Sequence, residues 1–161
     1  MTEPIRVGVL GARGRMGQQV CQAVVAADDM DLVAAVDAGD WLFSVADGGA
    51  QVLVVQTNNA TYNLTGQPDQ QMAISRLRAV EYGRTVLVAA TSGISAIIGP
   101  DGTVQARSRQ LTPATLVARV PLRTARTVAA TTEPAVEWVL AGIGLLAAVA
   151  GALAARAERR P

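Results

Sequence analysis

Apolar residues run through this chain with several different periods. Residues 5–10 (IRVGVL) and 32–36 are continuous, β-branched stretches, and the segment between them, about 16–27, spaces its apolar residues as a helix does. Gly11, Gly14 and Gly17 punctuate the first junction, so the opening reads as strand, glycine turn, helix, strand. A second buried-strand run, DGGAQVLVVQ over 47–56, ends in the polar loop TNNATYN. From 69 to 84, Met72, Ile74, Leu77 and Val80 are expected to fall mostly on one helical face, and Gly83 suits the helix end. Arg78 and Glu81, three apart, are placed to pair on its surface. Short strands then follow at 86–90, 96–98 and 104–107, with Pro100-Asp101-Gly102 as a tight hairpin turn, and 115–120 reads as a last strand.

The pattern changes again at the C-terminal end. Residues 138–155 carry no charge, with Glu137 before them and Arg156, Glu158, Arg159 and Arg160 after. At 1.5 Å per residue such a helix measures about 27 Å, enough to cross a hydrocarbon core of roughly 30 Å with snorkelling flanks. Trp138 suits an interfacial anchor, and Gly142, Gly144 and Gly151 allow close helix contacts. The alternative is a core helix or hairpin buried in a domain, but a chain this short has little sheet with which to cover one. A single C-terminal span in the cell membrane, with membrane lipid as partner, is therefore expected. No signal peptide or earlier span is recognised, and arginines on both flanks (Arg119, Arg123 and Arg126 against the terminal three) leave the orientation open.

Composition narrows the chemistry. In 161 residues, 50% are hydrophobic and the mean hydropathy is +0.29, above the usual range for a soluble domain. The formal net charge of +1 and 3% aromatic content supply neither a basic field nor stacking platforms, which argues against nucleic acid. Cys21 is the single cysteine and histidine is absent, so no internal disulfide can form and no histidine or multi-cysteine metal site is expected. Cys21 falls in the first helix, where a free cysteine is usually a small packed side chain. All fourteen basic residues are arginine.

In a strand–turn–helix–strand unit with this glycine spacing, the first glycine permits the tight turn and the second a close approach to a pyrophosphate. The third permits close helix packing, and the helix N-terminus faces the anion. Asp37, twenty residues after Gly17 at the end of the second strand, is placed where a carboxylate meets a ribose hydroxyl. The same spacing also serves simply to pack a helix on a sheet.

The string VGVLGARGRMG over 7–17, followed by Ala35-Val36-Asp37, resembles the start of dihydrodipicolinate reductase over about residues 5–41. The resemblance implies NADH or NADPH as cofactor, with Gly11, Arg13, Gly14, Arg15, Met16, Gly17 and Asp37 as the binding residues. Arg13 and Arg15 would lie near an adenosine 2′-phosphate, whereas Asp37 would favour a free ribose. The family's catalytic histidine pair, its lysine and its Ser-Gly-Thr substrate loop have no counterpart, so reductase activity is not expected.

From about Asp47 onward the motifs TNNATYN, RLRAVEYGR, TSGISAIIGPDG and VPLRTART resemble, in that order, the C-terminal part of apolipoprotein N-acyltransferase. The resemblance implies a nitrilase-like domain and a last transmembrane helix, with acyl transfer from phospholipid through a cysteine thioester to a lipoprotein's N-terminal cysteine. A glutamate base, a lysine and a cysteine carry that reaction, because a thiol needs a base to become nucleophilic and the oxyanion needs stabilisation. None of the three has a counterpart in this block, and an arginine, with a pKa above about 12, is a poor proton carrier in the lysine's place. Asn58, Asn59 and Tyr62 border the family's site, and in this chain they and Glu81 are expected to be structural. In chain order Asp37 stands roughly where that cysteine would be.

The expected architecture is thus α/β, with a Rossmann-like βαβ segment (1–41), a partial nitrilase-like α/β sheet (42–134), a transmembrane helix (135–156) and a basic tail (157–161). The leading functional expectation is an inactive remnant of a membrane apolipoprotein N-acyltransferase, with phospholipid and lipoprotein as partners only if complemented. The alternative is an NAD(P)-binding module or reductase fragment.

Overall fold

The computed structural model describes residues 3–37, 49–62 and 64–158, with the backbone alone at 133–137 and 151–158. Two compact units result, Met1–Thr127 and Val128–Pro161. The first contains β1 (Ile5–Leu10), α1 (Arg15–Val25), β2 (Met30–Val36), β3 (Val52–Thr57), a 3-10 turn (Ala60–Tyr62), α2 (Gln67–Tyr82), β4 (Thr85–Ala90), β5 (Ala96–Ile98) and β6 (Val104–Arg107). The second is the helix α3 (Val128–Glu158).

The six strands form one sheet in the order β2-β1-β3-β4-β5-β6. β2, β1, β3 and β4 are parallel and β5 and β6 antiparallel, which suits the sequence: a parallel strand is covered on both faces and therefore reads as a continuous apolar run. Val7, Val9, Val52, Leu53 and Val86 are the buried centre of it. The segments on either side of the expected 41/42 boundary, itself outside the described residues, are joined directly, since β1 pairs with β3 from Val7↔Val52 to Leu10↔Val55. Arg6 and Gln51 reinforce the pairing: Gln51 N donates to Arg6 O at 2.7 Å, and Arg6 N donates to Gln51 Oε1 at 3.1 Å. β1 therefore lies between β2 and β3, and Asp37 stands one strand further from β3 than chain order implies.

The helix expected at 69–84 is present as α2, closed by Gly83 in the left-handed conformation at φ 60°. Its buried residues are not the ones that the apolar grouping picks out. Pro68, Ser75, Ala79 and Tyr82 are buried, whereas Ile74, Leu77 and Val80 are exposed. Small side chains allow the helix to approach β4 and β5 closely, and the larger apolar residues are left on the outer side. Arg78 and Glu81 pair as expected, at 2.6 Å.

The hairpin at 99–103 also forms as expected. Gly99 N donates to Thr103 O, and Asp101 Oδ1 accepts from both Thr103 N (3.0 Å) and Thr103 Oγ1 (2.6 Å). These bonds, the hydroxyl's first, hold the Asp101 carboxyl below its ordinary pKa. The strand expected at 115–120 does not form. That segment has no regular secondary structure, and with Leu87 of β4 and Ile97 of β5 it lines one hollow.

Arg84 ties the far end of this strap down. It is 2% exposed, and its guanidinium donates to Ala50 O (2.7 Å), Tyr82 O (3.2 Å), Ala125 O (2.7 Å) and Thr124 O (3.0 Å). Burial first, then the charges of Arg123, Arg6 and Arg126, hold its pKa below the ordinary arginine value.

In the second unit the expected span becomes part of a longer helix, α3. Among the described residues no helix is long and apolar enough to cross a membrane, so the expected transmembrane span is not shown. The described apolar side chains there, from Trp138 to Val149, are exposed.

Candidate functional site

The chain runs from β1 to β2 on one side and then crosses back to β3 on the other, so the direction of winding reverses between β1 and β3. A crevice outside the carboxyl ends of the strands is expected at such a point. The structure has one there, about 680 Å³, lined by Arg15, Met16, Gln18, Gln19 and Val20 of α1 together with Asn58 and Thr91 from the loops after β3 and β4.

The turn that shapes it is built from close contacts. Gly11 has φ 84°, which a glycine accepts without strain. Gly11 N and Ala12 N both donate to Val36 O, at 2.7 and 3.1 Å, which ties the turn to the end of β2. Arg13 N donates to Asp37 Oδ2 at 2.9 Å, so the strand-end carboxylate is hydrogen-bonded to the turn itself. Gly14 is the N-cap of α1, and among the described residues no side chain caps the helix. The N–H groups of the first turn, around Arg15, Met16 and Gly17, are therefore available to an anion. Gly17 is buried; a Cβ on it would lie 2.0 Å from Gly11 O, 2.6 Å from Gln56 Nε2 and 2.7 Å from Ala12 Cα. Glycine is required there for α1 to pack against its own turn.

All seven residues singled out from the sequence are thus gathered around one turn. The sequence reading missed Gln56, whose Nε2 donates to Gly11 O at 2.8 Å, and Thr91. No local signal marks either one, because each reaches the turn or its crevice only through the β1–β3–β4 pairing. Gln56 Oε1 and Ser92 Oγ are buried with no hydrogen-bond partner among the described residues.

The amide-rich loop is largely consumed by its own bonds. Asn59, 5% exposed, accepts from Thr57 Oγ1 (2.6 Å) and donates to Gln71 Oε1 (2.7 Å). Gly93 packs directly on it. Asn58 Oδ1 accepts from Ala60 N and Thr91 Oγ1, both at 3.1 Å. Tyr62 is exposed at the mouth of a separate small hollow beside α2. Cys21 is half-buried and packs on the cluster of Val7, Val9 and Val24, away from these loops.

A family model, Dihydrodipicolinate reductase, N-terminus, matches residues 5–120. The chain belongs to the dihydrodipicolinate reductase N-terminal family. The reductase match thus extends far beyond the 5–41 expected from the turn motif, through β3, α2 and β4. Among curated relatives, the 4-hydroxy-tetrahydrodipicolinate reductase of Nocardia farcinica is 60% identical over 50 residues, 31% of this chain and 20% of that protein. The Streptomyces coelicolor reductase is 38% identical over 113 residues, 58% of this chain and 44% of that one. The apolipoprotein N-acyltransferase of Mycolicibacterium smegmatis is 46% identical over 100 residues, 61% of this chain but 17% of that protein. The chain therefore spans less than half the length of each of these relatives. Because 58% and 61% of the chain together exceed the whole, the stretches matched by the reductase and by the acyltransferase overlap.

Proposed function

We propose that Met1–Thr127 is a nicotinamide-dinucleotide-binding unit that does not itself carry out hydride transfer to a substrate. The observation that carries this reading is the turn: Arg13 N donates to Asp37 and Gly11 N to Val36 O, beside an α1 N-terminus that no described side chain caps. These residues fit the cofactor. A pyrophosphate would be held by the glycine turn and the first N–H groups of α1, and an adenosine ribose by Asp37. Arg13 and Arg15 would favour an additional 2′-phosphate. When bound, the nicotinamide would supply hydride chemistry, but the chain has no lysine and no histidine to position or protonate the reductase's substrate.

The 46% identity to an N-acyltransferase supports a second reading, in which β3 onward is a nitrilase-like remnant and α3 its membrane helix. The charge-free 138–155 stretch within a continuous helix supports that role for α3. The glutamate, lysine and cysteine of acyl transfer have no counterpart here, so this reading adds a membrane address rather than a second activity.

Titration of the full chain in mild detergent with NADH and NADPH, followed by nicotinamide fluorescence, tests the first reading. Saturable binding below millimolar cofactor is expected; none at millimolar cofactor would refute it. Flotation with phospholipid vesicles tests the second, and a chain left wholly at the bottom of the gradient would exclude a membrane helix.

A further inference from the structure

Between Asp101 and Glu133 the chain has no acidic residue, yet it carries Arg107, Arg109, Arg119, Arg123 and Arg126. All five are exposed. The same stretch presents apolar side chains to solvent where packing would normally hide them: Leu111 is 54% exposed, Val117 86% and Leu122 44%. From 112 to 127 it forms no regular secondary structure, being held by Arg84 and by Thr85 Oγ1 donating to Pro121 O, and in sequence it leads straight into α3. Two acids among the described residues face it. Asp69 pairs with Arg107 at 3.5 Å, and Asp101 feels the charge of Arg123.

Arginines interspersed with exposed aliphatic side chains match a bilayer surface. Guanidinium groups pair with headgroup phosphates, while the aliphatic groups enter the boundary below them. We infer that the strap 109–126 docks on the surface of an anionic membrane, with Val117 and Leu122 inserted shallowly and Arg119 and Arg123 on lipid phosphates. This rests on the membrane reading of α3 for bringing the strap to a bilayer, and it adds the lipid charge that the site selects. With about one kcal/mol per arginine near such a surface, replacing two weakens the local association roughly 30-fold.

The experiment uses the full chain with Cys21→Ser and Val117→Cys, labelled with an environment-sensitive fluorophore and mixed with vesicles. Expected is a blue shift with vesicles containing 30% phosphatidylglycerol, absent with pure phosphatidylcholine. The shift should be lost in the Arg119→Gln/Arg123→Gln variant at 0.15 M salt, and a label at Gln22→Cys on α1 should not move. A chain that floats with vesicles while the Val117 label stays unshifted, or shifts equally with both lipids, overturns the strap and leaves α3 standing. Equal shifts at Gln22 and Val117 also overturn it, as does a response to RNA but not to anionic vesicles. A chain that does not float overturns the strap and the membrane helix together.

Discussion

Replacing Arg84 by methionine sets two large effects against each other. The guanidinium makes four hydrogen bonds to carbonyls from three separate segments, and among the described residues no carboxylate pairs with it. Removing a buried cation recovers its desolvation cost, and apolar replacement of whole buried ion pairs, an upper guide for one cation, has been neutral or stabilising by about 1–4 kcal/mol. Against this, the carbonyls of Ala50 and Tyr82 lie in residues only 1% and 2% exposed and would lose this donor. Stripped carbonyls cost about 1–3 kcal/mol each, and hydrogen bonds from a charged donor contribute about 1.5–3 kcal/mol each. Thr124 and Ala125 are exposed, so water can replace their lost bonds. The bonds outweigh the desolvation, and Arg84→Met is expected to destabilise Met1–Thr127 by about 2–4 kcal/mol. Urea unfolding of the full chain in detergent, followed by circular dichroism, measures this. Trypsin cleavage after Arg123 and Arg126 reports the strap directly and should accelerate at least about tenfold, since 1.4 kcal/mol alone is a factor of ten. Arg84→Lys should resemble methionine rather than wild type, because one ammonium cannot reach carbonyls on three segments. A methionine variant as stable as wild type, with unchanged cleavage, would refute the carbonyl-clamp reasoning.

Two further expectations concern the turn and the hairpin. Gly17→Ala forces a methyl to within 2.0 Å of Gly11 O, so the turn must shift; a loss of about 1–3 kcal/mol in stability and at least about tenfold in NADH affinity is expected, read by the same titration. Asp101 has a folded pKa below its ordinary 3.8, so its contribution is fully present above that value and disappears as pH falls through the lower folded one. The difference in Tm between wild type and Asp101→Asn should therefore be present at pH 7 and shrink as the pH falls below 3.8.

The parts legible in the sequence were those governed by local chemistry. Glycine spacing announced the turn before α1, Gly83 the end of α2, and Pro100-Asp101-Gly102 the hairpin, because each depends on a few consecutive backbone angles. Packing was less visible. Periodicity grouped Met72, Ile74, Leu77 and Val80 mostly on one face, but it did not reveal that Ser75, Ala79 and Tyr82 are the residues buried while Ile74, Leu77 and Val80 are exposed. The alternation at 115–120 resembles a strand, and only a neighbour's hydrogen bonds could have made it one. Gln56 escaped notice because its role arises from the register of β1 on β3, across more than forty residues of chain.

The position of β1 has a consequence for dissecting the molecule. A fragment beginning at residue 49, chosen to isolate the acyltransferase-like portion, would remove the partner of β3 along Val52–Val55. An interior apolar strand, its Leu53 now fully buried, would become an open edge with unpaired N–H and C=O groups and no charged side chain to deter another copy. Such a fragment should aggregate by strand addition, whereas the full chain keeps that edge of β3 paired with β1.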